Sequence, residues 1–133
     1  MRRPYSRDFR PPAPVVPVLV RVPAHTATRQ LDGKIDSGAD ICAVPEGIIA
    51  ELDLPPVRTV RAAGLAGVLA EATLFHVELE VAGHGFEHLE VLSTRRPYAI
   101  IGRNVLQRFV VKLDGPKAFL TMNAPKTRRA SRK

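Results

Sequence analysis

Long apolar runs are missing from this sequence, and cysteine nearly so. No stretch approaches the roughly 18–20 consecutive apolar residues that span a bilayer, so no membrane span is expected. The single cysteine, Cys42, excludes an internal disulfide framework. It fits a reducing compartment, and the expected location is cytoplasmic. An early signal-peptide core is lacking too: Met1-Arg2-Arg3-Pro4 runs into further charges and prolines, and the apolar segment Val15 to Val22 is short. His84 and His88 stand four apart, but Gly83 and Gly85 break the helix that this spacing needs to bind a metal. No other Cys or His joins them in a ligand set, so neither a metal nor a cofactor is expected. Extended helical periodicity is also absent. The 12 prolines and 9 glycines punctuate the chain too often for a helical bundle.

Acidic residues are in deficit, 13 against 20 lysines and arginines, for a formal net charge of +7. Such a balance suggests nucleic acid until the charge is located. Arg2, Arg3, Arg7 and Arg10 against Asp8 leave +3 on residues 1–10, and Lys126, Arg128, Arg129, Arg132 and Lys133 put +5 on residues 126–133. The body between them therefore carries −1. A flexible basic tail binds phosphate polymers weakly and in a salt-dependent way. No nucleic-acid partner is expected beyond such contacts.

What is present is a series of short β-branched runs separated by turn residues. The 133 residues, 45% of them apolar, fit one globular domain. Residues 1–14 read as a flexible, basic and proline-rich arm, 15–122 as the folded domain, and 123–133 as a flexible basic tail. Val15 to Val22 reads as a strand, and Gln30 to Ile35 as an extended run with a bulge or turn at Asp32-Gly33. Ile41 to Val44 is a short strand, and Pro45-Glu46 opens a short helix reaching about Leu52. Val57 to Ala62 and Val68 to Val81 form a long hairpin, tipped by Ala63-Gly64-Leu65-Ala66-Gly67. Phe86 to Leu92 and Tyr98 to Gly102 follow as strands. The spacing of Val105, Leu106 and Phe109 predicts a helix over 103–109, and Val110 to Leu113 with Ala118 to Met122 closes as a hairpin. Many short strands and one short helix near the end predict an all-β, barrel-like domain.

One stretch does not fit this pattern. Lys34-Ile35-Asp36-Ser37-Gly38-Ala39-Asp40-Ile41-Cys42-Ala43-Val44 places a carboxylate, a hydroxyl and a glycine between two apolar flanks. Strand interiors avoid Asp and Gly. If the flanks are buried, the polar turn follows them, and a buried carboxylate is costly unless it is hydrogen-bonded or shares a proton. Cys42 beside it reads as a small buried hydrophobe rather than a nucleophile, because Ile41, Ala43 and Val44 surround it. An Asp-Ser/Thr-Gly triplet alone arises by chance in roughly one chain in twenty of this length, so its companions decide. Ala39 and Asp40 follow it, a glycine-flanked hairpin tip lies about 25 residues downstream, and Ile100-Ile101-Gly102-Arg103-Asn104-Val105-Leu106 closes the set.

In this order and at these separations the sequence resembles the retropepsin-like (retroviral-type, clan AA) aspartic proteases, in a single-domain form, over about residues 15–122. The resemblance implies a closed β-barrel of the acid protease fold, with a β-hairpin flap and one short C-terminal helix. It implies an aspartic endopeptidase acting on a peptide or protein substrate. Asp36, Ser37 and Gly38 would be the catalytic triplet. Ala39, Asp40, Gly64, Leu65, Tyr98 and Ile100 would contact substrate, with Leu65 closing from the flap tip. Arg103 would pair with Asp40 as a bidentate clamp, and Asn104 would support it. Two carboxylates about 3 Å apart cannot both ionise, so they share one proton and can activate a water between them. Asp32-Gly33 and Asp114-Gly115 lack the hydroxyl residue, so the chain holds one triplet and the dyad requires a homodimer. The alternative that the sequence leaves open is a catalytically weak dimerisation or peptide-binding module on the same fold.

Overall fold

Runs that alternate apolar and polar side chains become strands whose odd and even residues face opposite ways. The computed structural model describes residues 1–63 and 67–125. Within them lie β1 (Arg2–Pro4), β2 (Val15–Arg21), β3 (Thr28–Ile35), β4 (Ala43–Pro45), α1 (Glu46–Leu52), β5 (Pro56–Ala63), β6 (Leu69–Val81), β7 (His84–Thr94), β8 (Ala99–Ile101), α2 (Arg103–Leu106), β9 (Val110–Asp114) and β10 (Phe119–Asn123). No described helix is long and apolar enough to cross a membrane.

Seven strands hydrogen-bond in the order β2-β3-β8-β4-β7-β6-β5, and β2 also pairs with β6. That extra pairing closes six of them into a mixed barrel, as the all-β expectation required. β5 stays outside the ring as the partner of β6 in a protruding hairpin. β3 runs parallel to β8 and β4 parallel to β7, while the remaining ring pairings are antiparallel. Val16, Val18 and Val20 of β2, Val77, Leu79 and Val81 of β6, Val91 of β7 and Ile101 of β8 fill the interior. Each is at most 2% exposed, so each contributes roughly 1.5–3 kcal/mol of apolar burial.

Several local expectations change. Asp32-Gly33 is neither bulge nor turn but part of one continuous strand, paired throughout with β2. A glycine is needed at 33 because a Cβ there would lie 2.8 Å from Ile101 Cγ1 and 3.0 Å from Val18 Cγ1. Along β6 the buried side shifts from Leu74 to Val77, Leu79 and Val81. Register shifts at Pro56/Arg58 and Val77/Leu79 accompany that change of face. α2 is a single turn, shorter than the spacing to Phe109 suggested.

The segment expected to be a flexible arm is partly tied down. β1 pairs antiparallel with β10, which pairs with β9 in a separate three-stranded sheet. Ser6 and Ala13 then exchange two backbone hydrogen bonds of 2.7 and 3.1 Å, and Phe9 stacks edge-on against Tyr98 at 5.0 Å. Backbone pairing and one aromatic anchor hold a segment whose composition carries no periodic signal.

Candidate active site

Asp36 is the first residue beyond β3, where the chain must turn at the barrel's end. Its backbone N–H donates to the Ile101 carbonyl at 3.0 Å, which continues the β3–β8 pairing by one residue. The Gly38 N–H donates to Asp36 Oδ1 at 2.9 Å, and the Ala39 N–H donates to the Asp36 carbonyl at 3.2 Å. The carboxylate thus shapes its own turn and keeps Oδ2 for other partners. A Cβ on Gly38 would lie 3.2 Å from Asp36 Oδ1, tight enough to disturb that contact.

The 100–106 segment is built against this turn. Arg103 N–H donates to the Ala39 carbonyl at 2.8 Å, and Asn104 N–H to the Asp40 carbonyl at 3.2 Å. Gly102 is pressed so closely that a Cβ would stand 2.8 Å from Ala39 O and from Ile41 C. Its N–H donates to Cys42 Sγ at 3.2 Å. Asn104 joins three segments: its Oδ1 accepts from Cys42 N–H at 3.0 Å, and its Nδ2 donates to the Glu90 carbonyl at 3.0 Å. Arg103 meets Asp40, as the resemblance implied, but the fork is divided. Nη2 contacts Asp40 Oδ1 and Nη1 donates to the Ser37 carbonyl at 2.7 Å. The expected bidentate clamp on one carboxylate is therefore a bridge between two residues of the turn. Arg103 and Asp40 side chains are 44% and 80% exposed, so the ion pair itself contributes about 0–1 kcal/mol and its main effect is positional.

Two expectations about burial resolve differently. Cys42 is 1% exposed, and burial pushes its thiol up from 9.0 to about 11. It is a packed, protonated side chain at ordinary pH. Asp36, expected to be buried with its flanks, is exposed with Ser37 and Gly38, while Ile35 and Cys42 on either side are buried. The apolar flanks enter the barrel wall, and the turn between them protrudes from its rim.

Asp36 and Ser37 open onto a groove of about 620 Å³ whose other walls are Ile35, Arg103, Leu106, Gln107, Phe109, Val111 and Leu113. Leu106, Phe109, Val111 and Leu113 were not read as part of the site. Leu106 ends the late motif and the other three follow it in sequence, with Val111 and Leu113 brought to the groove by β9. Tyr98 lines a different depression of about 590 Å³, with Asp8, Phe9, Gln30, Leu31, Asp32 and Pro97. Lys34 Nζ stands over the Phe9 and Tyr98 rings, 4.9 and 5.9 Å from their centroids. Ile100 is half-buried, opposite Lys34 on β3 and Ala43 on β4. Gly64 and Leu65 lie outside the described residues. The strands leading to them pair from Pro56↔Phe75 to Ala63↔Leu69. His84 packs on Phe109 and His88 on His76, so the two histidines face different neighbours.

No family model and no curated protein matches this sequence. Solved structures do. A retropepsin-like aspartic protease from Rickettsia conorii superposes over 93% of this chain and 89% of that one, with a TM-score of 0.66 and 17% identity. The equine infectious anaemia virus (EIAV) protease complexed with the inhibitor HBY-793 matches over 71% and 86%, with a TM-score of 0.52 and 24% identity. The simian foamy virus (mac) protease matches over 68% and 91%, with a TM-score of 0.51 and 23% identity. At these identities the likeness concerns the fold, and the fold is retropepsin-like.

Proposed function

We propose that this retropepsin-like chain is an aspartic endopeptidase that acts as a homodimer, with Asp36 of each copy forming one half of a carboxylate dyad. The observation that carries the reading is the construction of the Asp36 turn. Gly102, Arg103 and Asn104, far away in sequence, hold it through four hydrogen bonds to its backbone and one to the Cys42 thiol, yet its carboxylate is left exposed on an apolar groove. A turn with only a structural role has no need of a second segment holding it from below while its acid faces outward.

The chemistry follows from the groups present. Two Asp36 carboxylates brought within about 3 Å share one proton. The ionised member takes a proton from a water held between them, and the resulting nucleophile attacks the peptide carbonyl carbon. The protonated member donates to the carbonyl oxygen as it gains charge. Collapse of the tetrahedral intermediate breaks the C–N bond, and a proton is delivered to the leaving amine. The dyad titrates as a unit. Asp40, held by Arg103, lies four residues along the same loop and would bond substrate backbone. The β5–β6 hairpin would close over the bound peptide and exclude water.

Asp36→Asn tests the reading, assayed by mass spectrometry on a peptide library at several protein concentrations. The expected result is loss of cleavage with unchanged folding. Wild-type activity should rise with the square of total chain concentration where the dimer is scarce. Full cleavage by Asp36→Asn would refute the mechanism. Retained peptide binding without turnover in the wild type would favour the binding-module alternative.

A further inference from the structure

Ile35 at the end of β3 is buried in the barrel, so the residues on either side of it face the other way. Lys34 precedes it and Asp36 follows it. Their side chains therefore share one face of the chain, roughly 6.5 Å apart at Cα. Ile100 is the cross-strand partner of Lys34 and lies on that face too. Lys34 is half-buried, and its Nζ is held over the Phe9 and Tyr98 rings, 4.9 and 5.9 Å from their centroids. The ion pairs among the described residues join Arg21 to Glu78, Arg29 to Glu51, Arg58 to Glu90 and Arg103 to Asp40. None of them includes Lys34. Its ammonium has given up part of its water and rests on two aromatic rings without a carboxylate partner.

The position of Lys34 fixes what an incoming anion would belong to. Asp32, Phe9 and Tyr98 line one depression, and Ile35 and Asp36 line the groove. Lys34 stands between the two on β3. A peptide with its scissile carbonyl at Asp36, running back along this face, passes over Lys34. An extended peptide advances about 3.3 Å per residue, so the side chain beside Lys34 belongs to about the second residue from the cut. At about the fourth residue, roughly 13 Å from Asp36, the peptide reaches Asp32, with Asp8 in the same depression. The charge that lines its path thus changes sign along the way. At the centre, two Asp36 carboxylates sharing one proton keep a net negative charge, which would repel a nearby substrate acid if Lys34 did not offset it.

We propose that Lys34 is a specificity-determining residue, and that it makes the site select peptides with Asp or Glu at about the second residue from the cut. The proposal rests on the endopeptidase reading of the Asp36 turn and names a substrate class for it. A two-fold dimer carries one Lys34 on each side of the dyad, so the preference holds on both sides of the cut. A charge-assisted hydrogen bond to the substrate carboxylate is stronger than its neutral counterpart. The two rings already restrain the long Lys34 side chain, so less rotamer freedom is lost when the acid arrives.

Paired peptides that differ only by Glu or Gln at the second residue from a mapped cut test this on the full chain. Wild type should favour Glu in kcat/KM by about tenfold or more at low salt, and the ratio should fall as NaCl is added. Lys34→Arg should keep the preference. Lys34→Met, which retains an apolar stem, should bring the ratio to about one or below. Glu moved to the fourth residue, facing Asp32 and Asp8, should have no advantage over Gln. Affinities of Asp36→Asn for the same peptides, read by fluorescence anisotropy, separate acid recognition from catalysis. Cleavage at equal rates for Glu and Gln overturns the role of Lys34 and leaves the endopeptidase standing, as does a Glu preference that survives in Lys34→Met. A Lys34-dependent affinity for Glu peptides in a chain whose wild type never cleaves them sustains acid recognition and overturns the endopeptidase. Neither cleavage nor a Glu-selective affinity overturns both.

Discussion

Three alanine substitutions at glycine should differ in sign and size because the same methyl group meets different neighbours. At Gly102 the new Cβ would stand 2.8 Å from Ala39 O and Ile41 C and 2.9 Å from Ile41 O. Comfortable carbon contacts lie at about 3.5–4.0 Å, so several tenths of an ångström must be found. Every one of those atoms is backbone of the Asp36 turn, and no side chain can rotate away. Relief would separate α2 from the turn and stretch the Arg103 N–H to Ala39 bond and the Gly102 N–H to Cys42 bond. Overpacking costs about 1–3 kcal/mol where neighbours yield. With weakened hydrogen bonds near 1 kcal/mol each, about 3–4 kcal/mol is expected here. At Gly33 the contacts are 2.8 and 2.9 Å to Ile101 Cγ1 and Cδ1; a side chain can shift, and about 1–2 kcal/mol is expected. At Gly47, within α1, nothing lies within 4 Å, and alanine should stabilise by about 0.5–1 kcal/mol. Urea unfolding at one fixed protein concentration, with m-values compared, gives the order directly. Gly102→Ala lying within about 0.5 kcal/mol of wild type would refute the close seating of α2 on the Asp36 turn. Peptide cleavage by Gly102→Ala should fall even at temperatures where it stays folded.

Asn104→Ala removes an acceptor from Cys42 N–H and a donor from the Glu90 carbonyl; a loss of about 2–3 kcal/mol is expected in the same urea series. Arg103→Lys keeps the charge but cannot bridge Asp40 and the Ser37 carbonyl. Stability should change by less than about 1 kcal/mol, whereas kcat should drop, and equal losses in both would contradict a positioning role. Cys42, raised to about 11, is protonated in the folded state while an unfolded thiol ionises from 9.0 upward. The folded chain therefore holds more protons, and the stabilising contribution, full below pH 9, is lost as pH rises towards 11, by up to about 1.4 kcal/mol per unit. Thermal melts from pH 8 to 11 should fall more steeply for wild type than for Cys42→Ala, and identical slopes would refute this linkage.

The barrel was legible because its strands carry the period-two alternation that buries one face, and the site because two motifs keep a fixed order. Other features leave no such trace. β1 is three exposed residues held by backbone bonds, and such bonds are available to any sequence. Phe9 reaches Tyr98 only because the Ser6–Ala13 bridge folds the segment back. Asp32-Gly33 imitates a turn signal, but the glycine answers a packing constraint from Ile101, 68 residues later. Local turn chemistry gives way wherever a distant side chain claims the space.

The exposure of Asp36 follows from a related cause and bears on when the chemistry can exist. Ile35 and Cys42 bury themselves in their own chain, so the sequence pattern around Asp36 looks like that of a core. The carboxylate itself faces a groove with apolar walls at Leu106, Phe109, Val111 and Leu113. In water, a lone exposed carboxylate gains nothing from such walls and has no partner with which to share a proton. A second copy would change both conditions in one event: it supplies the other acid and removes the water. The low-dielectric surroundings that strengthen proton sharing would then be created by association rather than by folding. Substitutions in the groove wall should therefore reduce catalysis and dimerisation in proportion, with the activity per dimer unchanged. A groove-wall variant that dimerises like wild type yet loses activity per dimer would show instead that the wall acts on substrate.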